Sequence, residues 1–143
     1  MTKYYGFFVF LFFIVSCSQK PNKGEGLVEP VDTMSKVFFK NINNGDTLES
    51  PFIVEMGVKD MIIKPAGEFV SGTGHHHILI DRPFMTLNKI IPMDENHLHY
   101  GKGDTVAEIS LTSGPHTLTL QFANGMHGSY GEQFSKTINI YVK

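Results

Sequence analysis

Apolar and polar residues alternate along most of this chain in short runs, and glycine or proline interrupts the runs every few residues (14 Gly and 7 Pro). Successive side chains of a strand point to opposite faces, so a period of two marks a strand with one face against a core. Phe52, Val54, Met56 and Val58 share a face, as do Ala107, Ile109 and Leu111. Leu118, Leu120 and Phe122 point inward with Thr117, Thr119 and Gln121 outward, and Ile138, Ile140 and Val142 form a fourth row. Strands are expected over residues 36–42, 52–58, 75–81, 105–111, 116–122 and 134–142, with short candidates at Ile90-Ile91 and over 98–100. Asn43-Asn44-Gly45-Asp46 and Ser113-Gly114-Pro115 read as turns, and 59–74 reads as a long connection. About seven short strands with almost no helical period fit an all-β, immunoglobulin-like antiparallel sandwich, with a small barrel as the alternative.

The amino terminus follows a different rule. Lys3 is followed by an uncharged, Phe-rich run over residues 4–16, 13 residues long. A membrane-spanning helix needs about 20 residues, and the shorter length suits the apolar region of a secretory signal peptide. Ile14-Val15-Ser16-Cys17 then resembles a bacterial lipobox, in which cleavage before the cysteine leaves it as the lipid-modified first residue. Residues 1–16 are therefore expected to be a signal peptide, and 17–35 a lipidated Cys17 with a flexible tether rich in Pro, Gly and charge. The β domain then spans 36–143. The expected location is the bacterial cell envelope, periplasm-facing or surface-exposed, with the membrane as partner through the lipid anchor.

Charge and motifs exclude several functions. Twelve basic residues are scattered among 14 acidic ones, with no basic stripe to meet a phosphate backbone, so nucleic acid is excluded as a partner. No feature names a protein partner. Gly101-Lys102 fails as a phosphate loop, because Asn96 and Gly103 stand where Gly and Ser or Thr are needed. Neither a G-x-S-x-G elbow nor H-E-x-x-H occurs. The single cysteine, Cys17, is committed to lipid, which removes both a thiol nucleophile and a blue-copper ligand. The expectation is a binding protein and not an enzyme, with no catalytic residue.

Seven histidines remain, and they cluster. Residues i and i+2 on a strand stand on one face roughly 6.6 Å apart, close enough for two imidazoles to lean toward one ion. His75 and His77 form such a pair with His76 turned away, and His97 and His99 form a second if that stretch is extended. His127 lies in a Gly-rich loop. Together these offer three or four nitrogen ligands suited to Cu or Zn, and Met126 or Met93 could add a thioether for Cu⁺. Ligation needs neutral imidazole, so binding is expected to weaken below about pH 6. His116, in phase with Leu118, is expected to be a corner residue bonded to backbone, and His76, in phase with Ile78 and Ile80, a hydrogen-bonded histidine of the core edge.

Several segments resemble bacterial domain-of-unknown-function family 4399. They are Gly74-His75-His76-His77-Ile78-Leu79-Ile80-Asp81, His99-Tyr100-Gly101-Lys102-Gly103 and Gly114-Pro115-His116-Thr117-Leu118. Asn44-Gly45-Asp46-Thr47 with Ser50-Pro51-Phe52, and Pro65-Ala66-Gly67, match in order, so the resemblance runs over residues 37–143. It implies an exported or lipid-anchored β domain without an assigned reaction. Its motif positions fall on His75, His76, His77, His99, His116 and His127. The family carries a second histidine shortly after the last of these, where this chain has Gly128-Ser129-Tyr130, and His97 has no counterpart. Two functions stand open at this point: an envelope lipoprotein that binds Cu or Zn, and an immunoglobulin-like structural or interaction module whose histidines fix loops.

Overall fold

The computed structural model describes residues 1–2 and 35–143. The expected signal peptide (1–16) and the lipidated Cys17 with its tether (17–35) lie outside the described residues except for Met1, Thr2 and Ser35. Nine strands follow in order: β1 (Val37–Phe39), β2 (Thr47–Leu48), β3 (Phe52–Val58), β4 (Ile62–Ile63), β5 (Thr73–Ile80), β6 (His97–His99), β7 (Val106–Ile109), β8 (Gly114–Ala123) and β9 (Ser135–Val142). A 3₁₀ turn over Glu132–Phe134 precedes β9.

The strands form two sheets. The smaller has the order β1-β3-β7; the larger runs β2-β9-β8-β5-β4, with β6 also paired to β5. Alternation builds the core between them. Val54 and Met56 of β3 and Ala107 and Ile109 of β7 meet Ile78 and Ile80 of β5, Leu118, Leu120 and Phe122 of β8, and Ile138, Ile140 and Val142 of β9. The all-β sandwich expected from the pattern is what the chain forms. The two extra strands are two-residue edges, β2 parallel to β9 and β4 parallel to β5. The second of these lies inside the 59–74 connection. Runs of two residues carry no period, which is why the sequence hides them. Ile90 makes only an isolated bridge to Gly128.

One expectation is corrected. Thr119 and Gln121, assigned to an outward face, are fully buried, and β5 is buried along its whole length. The outer face of the larger sheet is roofed by loops. Thr119 donates its hydroxyl to the Arg82 carbonyl at 2.9 Å, and the Gln121 side chain accepts from the Met85 amide at 2.9 Å. The same side chain donates to the carbonyls of Gly131 and Phe134. Buried polar groups on a sheet need such partners, and the 82–95 and 124–134 segments supply them. The roof turns β5 into a strand with two interiors. One is apolar and belongs to the sandwich; the other is polar and contains His75 and His77.

Candidate metal centre

Strand alternation divides the triple histidine. His76 points into the sandwich, its ring 5.0 Å from that of Phe122, while His75 and His77 point under the loop roof. Register brings in the third ring: β6 runs antiparallel to β5 with His99 directly opposite His77. The fourth comes from the loop after β8. There the Asn124 side-chain oxygen accepts from the amides of Met126 and Gly128 at 2.9 and 3.0 Å, and the Ile91 amide donates to the His127 carbonyl. These bonds hold His127 at a φ of 66°, a left-handed conformation uncommon for a residue with a side chain.

Four imidazoles thus converge. The Nε2 atoms of His75 and His77 lie 3.0 Å apart, and those of His99 and His127 lie 3.1 Å apart. In each pair one ring's N–H donates to the other's nitrogen. Ring centroids are separated by 4.8 Å for His75–His77, 5.0 Å for His75–His99 and 5.1 Å for His77–His99. One ligand atom from each of His75, His77 and His99 can be chosen so that all lie within 4.8 Å of one another. Nitrogens bound at 2.0–2.1 Å to one ion stand roughly 2.9–3.4 Å apart, so both short pairs already have ligand spacing.

Electrostatics favour the ligating form. Burial first, then the neighbouring rings of His99 and His127, push His75 down to about 4. Burial first, then the surrounding histidines with His75 foremost, push His77 down to about 2. His99 is lowered by burial and then by His127. These rings stay neutral at ordinary pH, and His75 and His77 do so well below the pH 6 expected from free imidazole. No carboxylate is among the hydrogen-bond partners of His75, His77, His99 or His127. A place beside the His99 ring is kept open by Gly101, where a Cβ would run into that ring. Gly101 and Asn124 are positioning residues that the periodic pattern does not reveal; the only hint in the sequence is glycine two residues after a histidine.

The remaining candidates lie elsewhere. His97 sits opposite Leu79, with Nδ1 2.7 Å from the Asp94 carboxylate, and makes no ring contact with the four. Met93 and Met126 are 66% and 62% exposed. His76 is in the core, but neither of its ring nitrogens has a hydrogen-bond partner among the described residues, contrary to the bonded histidine expected there. His116 bonds the Thr112 carbonyl through Nε2 at 3.0 Å and Asp81 Oδ2 through Nδ1 at 2.8 Å.

The His116 pair gives a pH prediction. Both its nitrogens face acceptors, a setting for the doubly protonated ring. Burial lowers His116, but the bonds to Asp81 and Thr112 outweigh it and hold it above its ordinary 6.5. Burial likewise raises Asp81, but the Thr117 amide and His116 outweigh it and hold it below its ordinary 3.8. The histidine's contribution is complete below pH 6.5 and fades as pH rises through the raised value. That of Asp81 is complete above 3.8 and fades as pH falls through the lowered value. The pair therefore stabilises most between about pH 4 and 6.5. Melts of wild type and Asp81→Asn should differ more at pH 5.5 than at pH 8.5; an equal difference would remove the charged pair from the account.

Among known proteins, no curated protein and no solved structure matches the chain. Residues 54–143 match the family model described as "Domain of unknown function (DUF4399)". That segment begins within β3 and includes β5, β6 and the His127 loop, so the whole histidine quartet lies inside it. On that match the chain belongs to the DUF4399 family.

Proposed function

We propose that this chain is a lipid-anchored protein of the bacterial cell envelope that binds one transition-metal ion, Cu²⁺ or Zn²⁺, through His75, His77, His99 and His127. The observation that carries the reading is the convergence of four imidazoles that, among the described residues, hydrogen-bond only one another. An all-imidazole set suits copper and zinc; with both candidate methionines out in solvent, Cu⁺ loses its soft donor. The envelope location rests on the Ile14-Val15-Ser16-Cys17 motif after an apolar run. Binding, not catalysis, is the proposed role, since no nucleophile or activated base accompanies the quartet among the described residues.

A second reading is favoured by one observation. Metal-bound histidines ordinarily donate their other ring N–H to a carbonyl or carboxylate. Here Nδ1 of both His75 and His77 lacks a partner among the described residues. A quartet that bonds itself through Nε2 could instead serve as a polar pin beneath the loop roof of a structural module. Elemental analysis of untagged protein, purified without chelator, separates the two. The metal reading predicts about one equivalent of copper or zinc per chain, and a content near zero, with none taken up on dialysis against either ion, would leave the structural module.

A further inference from the structure

The four histidines are not equivalent. His75 and His77 stand on β5, which is hydrogen-bonded to β6 on one side and β8 on the other, and both are fully buried. His99 is in register with His77 on β6, its ring laid over Gly101. The backbone of each of these three is held in a strand ladder. His127 alone comes from a loop. Its ring is 4.8 Å from His99 and 5.1 Å from His75 but 5.8 Å from His77, so it meets the trio from one edge. Its burial is intermediate, like that of His99, whereas His75 and His77 are fully buried, and the adjoining Met126 is 62% exposed, so the cluster meets solvent on the His99–His127 side. Its left-handed φ of 66° is a conformation that costs a residue with a side chain free energy, and loops open more cheaply than paired strands.

We propose that His75, His77 and His99 form a fixed tripod for the metal and that His127 is an exchangeable fourth ligand. Its departure opens one solvent-facing coordination position to a small monodentate donor, an anion or a neutral nitrogen base. The inference rests on the metal reading above. Three protein ligands with one replaceable position is the arrangement by which a bound ion reacts with, or is handed to, something outside the protein. A closed four-ligand site does neither.

The test uses Cu²⁺ with the full-length protein, His127→Gly and His77→Ala. Glycine suits the backbone at 127, so the loop should keep its course. Copper affinity is read by chelator competition, and the coordination sphere by electron paramagnetic resonance during titration with azide or imidazole. His127→Gly should hold one copper more weakly than wild type, by at least the roughly 10–100-fold that loss of an outer-shell partner costs, and its spectrum should change on adding either donor. Wild type should show the same change at higher donor concentration, and His77→Ala should bind no copper. Loss of copper from His127→Gly as complete as from His77→Ala would make His127 an obligatory ligand and overturn the proposal while leaving the metal site standing. So would a copper-loaded wild type whose spectrum no donor changes. Failure of wild type itself to bind copper would remove the metal reading, and this inference with it.

Discussion

Wild-type protein is expected to melt at a higher temperature in the presence of copper or zinc, and His77→Ala is expected to abolish that rise. An ion that binds only the folded state stabilises it by about 2.7 kcal/mol at a free concentration 100 times Kd. For a domain of this size that is a shift of roughly 10 °C. His77 carries the effect because it is fully buried, pairs with His75 through Nε2 at 3.0 Å and faces His99 across the ladder. Removing its ring leaves an apolar methyl in place of a ligand nitrogen. The control is His97→Ala, whose ring bonds Asp94 and not the quartet; it should keep the full rise. Copper and zinc titrated into wild type, His77→Ala and His97→Ala, followed by thermal melts, give the comparison. An undiminished rise in His77→Ala would place the ion somewhere other than the quartet.

His76→Leu should raise stability by about 1–2 kcal/mol and leave metal uptake unchanged. A buried polar group without a partner costs about 1–3 kcal/mol. His76 carries two such nitrogens, packed against Phe122 between the sheets. Burial first, then His75 and Lys40, push its pKa down to about 4, so the ring is neutral and gains nothing from charge. Leucine is of similar volume and suits a core that already holds Ile78, Leu120 and Phe122. Denaturant midpoints at constant slope would measure the gain. A loss of 1 kcal/mol or more would mean that the nitrogens are satisfied in solution, for instance by an internal water. The two substitutions sit one residue apart and should act on different properties, because a strand sends neighbouring side chains to opposite faces.

Alternation was the legible part of this chain. It located the long strands and their core faces, and it separated His76 from His75 and His77. It also put His99 within reach, though the register that sets His99 opposite His77 depends on how β6 meets β5, a contact between segments twenty residues apart. What alternation could not show was the loop roof. Thr119 and Gln121 read as solvent-facing because they are polar, yet they are polar in order to bond the loops above them. The pairing of His97 with Asp94 was hidden for a related reason. An H-x-H spacing places two rings on one face but does not say which neighbour each one takes. His127 had no period to announce it, since its position follows from Asn124 folding the loop.

The double burial of β5 also affects how the site fails. Amides on a strand paired on both sides and covered on both faces exchange with solvent only when the whole domain opens. Two of the four imidazoles belong to that strand. Damage to remote packing, such as loss of a core side chain in β9, would therefore reach them through global unfolding and not through local fraying. Occupancy of the quartet and integrity of the sandwich would decline together, as one cooperative unit.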